Sequence, residues 1–130
     1  MHTETVTIIL ELPNACLSPN NPPGSIGGRM KKAASAKRYR RLAKEAALAE
    51  NIDSGPWERA TIDAHFFHKQ KRRRDDVNHL AMLKPAYDGL VDAGLLVDDD
   101  SDHLVTRPAL FSIDREYSRV ELTITRKDTK

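Results

Sequence analysis

Four stretches of the chain have the pattern of hydrophobic and polar positions that is typical of β-strands. Residues 5–12 are rich in β-branched side chains, and residues 59–69 and 118–125 alternate apolar and polar positions with a period of two. Residues 104–113 are predicted as one more strand, forming a hairpin with residues 118–125 that has one face in water. Because the first stretch is mostly apolar on both faces, it is predicted to lie in the centre of the sheet.

Two further stretches predict helices. Residues 29–51 contain neither proline nor glycine and are rich in Ala, Lys, Arg and Glu, which favour helix. Residues 79–93 carry apolar side chains at helical spacing. Asn78 is expected to cap this helix, and the alternative is that it orients a metal ligand. Within this second stretch Pro85 predicts a kink or a helix start, and Gly94 predicts the helix end.

These elements follow one another in the order β-α-β-α-β-β. A length of 130 residues supports one domain with a hydrophobic core. We therefore predict a single domain over residues 1–130 with an α/β (α+β) fold, in which two helices pack on a mixed four-stranded sheet.

The cysteine count and the lack of long apolar segments predict the cellular compartment. Cys16 is the only cysteine, so no disulfide forms within the chain, which is compatible with a reducing cytosol. No apolar run approaches the ~18 residues of a membrane span. Because no basic region precedes the first apolar segment, a signal peptide is not expected. We expect a cytoplasmic protein without a membrane partner.

Charge is unevenly distributed along the chain, although the net charge is only +2. Lysine and arginine gather in residues 29–44 and 69–74, whereas aspartate dominates residues 98–102. Local basic patches attract nucleic acid because Lys and Arg neutralise phosphates. Both basic segments are expected to contact DNA; the alternative is that they form ordinary solvated faces.

Two acidic clusters flank the second predicted helix. Asp75 and Asp76 follow the basic run directly, and residues 98–100 are three consecutive aspartates. Carboxylate oxygens are the ligands that Mg²⁺ prefers. Acidic clusters beside a basic run fit a metal-dependent enzyme that acts on a polyanion. The alternative is that aspartate-rich tips are ordinary turns.

Residues 69–103 resemble the signature of the RusA family of Holliday junction resolvases, which occurs in bacteria and phages. The family pattern is Arg-Asp-x-Asp-Asn after an arginine-rich approach, a helix with a Lys, an Asp one turn later, an Ala-Gly helix end and Asp-Asp. The matching segments here are Arg74-Asp75-Asp76-Val77-Asn78, Lys84-Pro85-Ala86-Tyr87-Asp88, Ala93-Gly94 and Asp98-Asp99, with a weaker match at Ser18-Pro19-Asn20-Asn21. Several uncommon features recur in order over about 30 residues, which makes the signal specific.

The resemblance implies a crossover junction endodeoxyribonuclease, a hydrolase of DNA recombination and repair that cuts four-way junctions with paired nicks. Mg²⁺ is the implied cofactor, and Mn²⁺ is expected to substitute for it. Family members are homodimers, and a two-fold dimer with one site per subunit matches a junction with two symmetric cleavage points. The sequence thus predicts an enzyme of a bacterial or phage-infected cell.

The resemblance also assigns roles to individual residues. The implied catalytic residues are Asp75, Asp76, Lys84 and Asp99. The implied metal ligands are Asp75, Asp76, Asp98 and Asp99. Together with the basic patches, it predicts DNA binding by Lys71, Arg72, Arg73, Arg74, Asn20, Asn21, Lys37 and Arg38. Lys84 is expected to stabilise charge near the scissile phosphate, although its spacing from Asp88 is also that of a plain surface ion pair.

The chain departs from the family pattern at Val77, where the family has its second aspartate. Either Asp76 takes over that role through a local backbone shift, or the site is degenerate. Neighbouring residues of an extended chain point to opposite faces, so the shift has an energetic cost. The alternative function is therefore a non-catalytic protein that binds four-way DNA junctions, or a phage accessory protein, with a degenerate active site.

Overall fold

The computed structural model describes residues 4–19, 22–71 and 76–127, without the side chains of Asp76 and Val77. Within these ranges five strands form one sheet, namely β1 (Thr5–Leu10), β2 (Ala60–His68), β3 (Leu104–Thr106), β4 (Leu110–Ile113) and β5 (Arg119–Arg126). The helices are α1 (Ile26–Ala49), α2 (Asp76–Ala81) and α3 (Lys84–Asp92), and a 3-10 turn spans Ala15–Leu17. The predicted mixed α/β (α+β) architecture is confirmed, with five strands in place of four.

The sheet places β5 between β1 and β2, and both of these pairings are antiparallel. β3 and β4 pair in parallel with the other edge of β2. Two predictions are therefore wrong. The last two strands do not form a hairpin, because β5 pairs with β1 and β2 among the described strands. β1 is an edge strand among the described strands, and only one of its faces packs on the core. The other face is exposed to solvent, with Ile9 49% exposed.

The strand predicted at residues 104–113 is divided into β3 and β4 by a local irregularity. Ile62 pairs with Thr106 whereas His65 pairs with Leu110, so three residues of this segment face two residues of β2. One extra residue on one side is the definition of a β-bulge. Pro108 lies inside it, as expected for a residue that cannot donate to the ladder.

Alternating side chains of the sheet form the hydrophobic core with α1 and α3. Ile62, Phe66, Val120, Leu122 and Ile124 are at most 1% exposed and cluster with helix residues. Trp57 is fully buried, and its Nε1 donates to Ser54 Oγ at 2.9 Å. Within the described ranges, no helix is both long enough and apolar enough to cross a membrane.

Helix α1 begins at Ile26, three residues before its predicted start. Ser25 caps it, and the Ser25 side-chain oxygen accepts a hydrogen bond from the Gly28 backbone N–H at 3.0 Å. This cap brings Gly27 and Gly28 into the first turn of α1. α1 then packs closely on α3, where a Cβ at Gly89 would lie 2.2 Å from the carbonyl oxygen of Arg40.

The second predicted helix is two helices, which separate at Met82 and Leu83. α3 begins one residue before Pro85, so the predicted helix start near this proline is confirmed. Asn78 lies inside α2 and not at its cap, so the capping prediction is wrong. Gly94 ends α3 as predicted: it adopts φ +80°, and the backbone N–H that follows it donates to the Leu90 carbonyl at 3.1 Å.

Candidate active site

Lys84, the first residue of α3, bridges two carboxylates. Its Nζ donates to Asp88 Oδ1 at 2.8 Å and to Asp99 Oδ2 at 2.6 Å. Asp88 lies one turn further along the same helix face and forms with Lys84 the surface ion pair that the sequence spacing offered as the alternative interpretation. Asp99 comes from the loop after α3. A single ammonium group therefore ties the start of α3 to the second acidic cluster.

The three groups differ in their access to water. The Asp99 side chain is 11% exposed, whereas the Lys84 side chain is 61% exposed. Burial opposes the ionisation of Asp99, but the hydrogen bond and charge of Lys84 outweigh it, and the pKa of Asp99 lies below its usual value. Hydrogen bonds to Asp88 and Asp99 raise the pKa of Lys84. Both Lys84 and Asp99 are consequently charged at neutral pH.

The loop that carries Asp99 contains a second group of ionisable side chains. Asp98 is exposed, and its Oδ1 accepts a hydrogen bond from the Asp99 backbone N–H at 2.7 Å. Carboxylate and imidazole atoms of Asp98, Asp100 and His103 lie within 4.8 Å of one another. His103 Nδ1 is 2.6 Å from Asp100 Oδ1, and this contact raises the pKa of His103. The loop is thus a concentrated source of oxygen ligands.

The carboxylates around Lys84 have the chemistry that Mg²⁺ and Mn²⁺ require. Asp88, Asp98 and Asp99 offer only oxygen atoms, and hard divalent cations take oxygen ligands. Two of these residues already converge on one positive charge, the Lys84 ammonium. The residues present are therefore suited to hold a divalent cation.

Several predicted site residues fall outside the part of the chain that the structure describes. They are Asp75, Arg72, Arg73, Arg74, Asn20 and Asn21. Asp76 begins α2, but its side chain and that of Val77 are not among the described ones. Lys71 is exposed next to this segment. The structure brings Lys84 and Asp99 into contact and places Asp98 next to Asp99 in the same loop, and the remaining assignments stay predictions.

The positive charge of α1 lies beside the acidic residues of α3. Arg40 Nη2 donates a hydrogen bond to Asp92 Oδ1 at 2.8 Å. This bond raises the pKa of Arg40, and the charges of Asp88 and Asp99 raise it further. Exposed lysines and arginines of α1 include Arg29, Lys31, Lys37, Arg38, Arg40, Arg41 and Lys44. Of these, Arg40 and Lys44 act on acidic residues of α3 and give that side of the site a basic flank.

The two residues of α1 that were predicted to bind DNA differ in their surroundings. Lys37 is exposed. Arg38 is also exposed but binds the Glu11 carboxylate with both terminal nitrogens, at 2.5 and 3.0 Å. Because this pair is open to water, its energetic value is small and a phosphate can compete with it. DNA binding by both residues stays a prediction.

One polar group of α3 was not identified from the sequence. The helical spacing of apolar positions in residues 79–93 predicts that Tyr87 faces the core, and this residue is 7% exposed. Its hydroxyl has no hydrogen-bond partner among the described residues. The spacing of apolar positions predicts burial but carries no signal about whether a buried hydroxyl is paired.

No protein-family model and no curated protein sequence matches this chain. The functional interpretation therefore depends on the motif in residues 69–103 and on the contacts that these residues make. Of these contacts, the one between Lys84 and Asp99 is the most specific, because it joins residues that belong to different segments of the motif.

Proposed function

We propose that this chain is a Mg²⁺-dependent endonuclease that resolves four-way DNA junctions by paired symmetric nicks, as RusA-family resolvases do. The hydrogen bond between Lys84 and Asp99 gives this function its strongest support. These residues are 15 positions apart, and they belong to two separate segments of the motif. A chance resemblance between solvated charge runs gives no reason for the two segments to meet at one ammonium group.

The acidic residues would hold the metal. Asp99 and Asp98 from the loop after α3, with Asp75 and Asp76 from the first acidic cluster, provide the oxygen ligands that Mg²⁺ takes. A bound divalent cation supplies an activated water and neutralises charge at the scissile phosphate. Asp99 is already ionised at neutral pH, since its pKa is lowered, so it binds a cation without first losing a proton.

Lys84 would stabilise the negative charge that develops on the phosphate during cleavage. Its ammonium is largely exposed while it contacts Asp88 and Asp99, so a DNA phosphate can approach it from solvent. The raised pKa of Lys84 keeps this group charged through the physiological pH range. The same side chain thus aligns two carboxylates and presents a positive charge to the substrate.

The basic segments would hold the DNA backbone. Lys71, Arg72, Arg73 and Arg74 precede α2 in sequence, and Lys37 with its neighbours lines the exposed side of α1. Such contacts give affinity without reading sequence. A homodimer would place one site on each side of a junction that has two-fold symmetry, in the cytoplasm of a bacterial or phage-infected cell.

The test compares two aspartates of the same loop. Asp99→Asn removes the carboxylate charge that Lys84 contacts, whereas Asp102→Asn changes an exposed residue of the same loop that makes no such contact. We expect Asp99→Asn to slow junction nicking by roughly 100-fold or more while junction affinity stays within about threefold. Asp102→Asn should nick as the wild type does. Normal nicking by Asp99→Asn would refute the carboxylate assignment.

Val77 favours a second candidate function, in which the chain binds junctions without cutting them. The family pattern has an aspartate at this position, and valine offers no ligand oxygen. Val77→Asp distinguishes the two candidates. A large gain in nicking on restoring the carboxylate would indicate a degenerate site, whereas an unchanged rate in an already active protein would show that other carboxylates hold the metal.

A further inference from the structure

Tyr87 carries a buried hydroxyl that none of the other described residues satisfies. The residue is 7% exposed, and its oxygen has no hydrogen-bond partner within the described part of the chain. Other buried polar groups here are paired: the Tyr39 hydroxyl donates to the Glu11 carbonyl at 2.8 Å, and the Trp57 indole donates to Ser54. Because the great majority of buried polar groups in proteins are paired, an unpaired one calls for an explanation.

The position of Tyr87 connects it with the candidate active site. It lies in α3 one turn after Lys84 and directly before Asp88, the two residues that meet Asp99. Burial raises the pKa of Tyr87, and the negative charge of Asp99 raises it further. The hydroxyl therefore keeps its proton and lies within electrostatic range of the Asp99 carboxylate.

Lys84 has two tasks that compete for the same ammonium group. It donates to Asp99 Oδ2 in this structure, and in the proposed mechanism it faces the scissile phosphate. When the ammonium turns to the phosphate, Asp99 loses a hydrogen-bond donor. A metal-binding carboxylate is usually kept in place by a hydrogen bond from a neighbouring residue. Tyr87 offers a proton donor that has no other partner in the described structure.

We propose that Tyr87 is a positioning residue, whose hydroxyl donates to the Asp99 carboxylate when that carboxylate binds a divalent cation and Lys84 faces the phosphate. This inference rests on the proposed function for the phosphate contact of Lys84. It explains why tyrosine occupies a buried site where phenylalanine would pack equally well. A neutral donor also has an advantage over a second cation at this place, because it orients the carboxylate without cancelling its charge.

The test compares Tyr87→Phe with Tyr39→Phe, which removes a hydroxyl from the same core that is paired with a backbone carbonyl. The first readout is Mn²⁺ binding by calorimetry, and the second is the urea midpoint. Tyr87→Phe should weaken Mn²⁺ binding by roughly 10- to 100-fold, the usual effect of losing such a partner. Its urea midpoint should equal or exceed that of the wild type, because the Tyr87 hydroxyl makes no hydrogen bond to any residue that the structure describes.

Tyr39→Phe should show the reverse pattern, with a lower urea midpoint and unchanged Mn²⁺ affinity. Equal Mn²⁺ affinity of Tyr87→Phe and wild type would overturn the role of Tyr87. A lower urea midpoint for Tyr87→Phe would also overturn it, since the hydroxyl would then be paired in the free protein. If the wild type binds Mn²⁺ and junction DNA but does not nick, the proposed nuclease function fails while the inference about Tyr87 is decided by the Mn²⁺ affinities.

Discussion

Gly89 lies where α3 packs against α1 so closely that there is no room for a larger side chain. A Cβ at this position would lie 2.2 Å from the Arg40 carbonyl oxygen, 3.0 Å from the Ala43 Cβ and 3.0 Å from the Lys44 nitrogen. Two of these three atoms belong to the α1 backbone, which cannot rotate away as a flexible side chain does. Gly89→Ala therefore requires α1 and α3 to move apart.

The size of the effect follows from two opposing contributions. Overpacking a close contact costs about 1–3 kcal/mol, and a carbonyl oxygen at 2.2 Å from the new atom places this site at the upper end of that range. Alanine in place of glycine favours the helix by about 1 kcal/mol. We expect Gly89→Ala to lower the free energy of unfolding by about 2 kcal/mol.

Urea unfolding followed by fluorescence measures this change, because Trp57 is the only tryptophan and is fully buried. Gly24→Ala is the matched control, since a Cβ there meets no atom within 4 Å, and it should change the stability by less than about 0.5 kcal/mol. An unchanged or higher stability for Gly89→Ala would show that the helices are further apart than described and refute the reasoning.

Two further predictions concern charged groups. Lys84→Met should slow junction nicking by about 100-fold in a gel assay, because it removes the charge that stabilises the transition state. Junction affinity should stay within about threefold, because only one of many phosphate contacts is lost. A nicking rate near that of the wild type would contradict the role of Lys84. The hydrogen bond from Arg119 holds the pKa of Asp114 below its usual value. A carboxyl with a depressed pKa stabilises the fold above its unfolded pKa and loses this contribution as the pH falls through its folded pKa. The urea midpoints of wild type and Asp114→Asn should therefore differ at about pH 7 and converge towards about pH 3, and a difference that persists at low pH would contradict this.

Each of these two variants has a control. Lys44→Met removes another lysine near α3 that acts on Asp92 from α1 but does not contact Asp99. It should leave nicking within about threefold of the wild type. Asp102→Asn, an exposed carboxylate for which no ion pair is described, is the control for Asp114→Asn, and at about pH 7 its urea midpoint should lie closer to that of the wild type.

The strands were predictable from the sequence, but their neighbours in the sheet were not. Alternation of Val120, Leu122 and Ile124 predicts a strand with one buried face, and the structure confirms it. Alternation says nothing about which strand lies alongside, because pairing depends on residues distant in sequence. β5 therefore pairs with β1, its partner from the other end of the chain, and not with the segment directly before it.

Helix ends with a distinctive residue were better predicted than those without one. The ring of Pro85 fixes its own φ, and Gly94 adopts a positive φ at no steric cost because it lacks a Cβ; both mark helix boundaries as expected. Asn78 favours a cap only by a side-chain hydrogen bond, which a neighbour can replace, and the helix begins earlier. Pro108 was a visible signal of the bulge between β3 and β4 that the strand prediction passed over.

The candidate site was predictable to the extent that it depends on the motif. The spacing of Lys84 and Asp88 predicts their contact on a helix, and the resemblance singled out Asp99 as an essential carboxylate. The contact between Lys84 and Asp99 required the structure, because it depends on how the loop after Gly94 turns back to the start of α3. The Tyr87 hydroxyl, which finds no partner among the residues with described positions, likewise depends on packing that no periodic pattern encodes.

The central claim is that the residues around Lys84 cut four-way DNA junctions with the help of a divalent cation. The most direct measurement incubates the purified protein with a labelled synthetic four-way junction and a matched linear duplex, each with Mg²⁺ and with EDTA. The account predicts symmetric nicks in the junction alone and only with Mg²⁺. Tight junction binding without nicks under either condition, or equal cutting of the linear duplex, would contradict it.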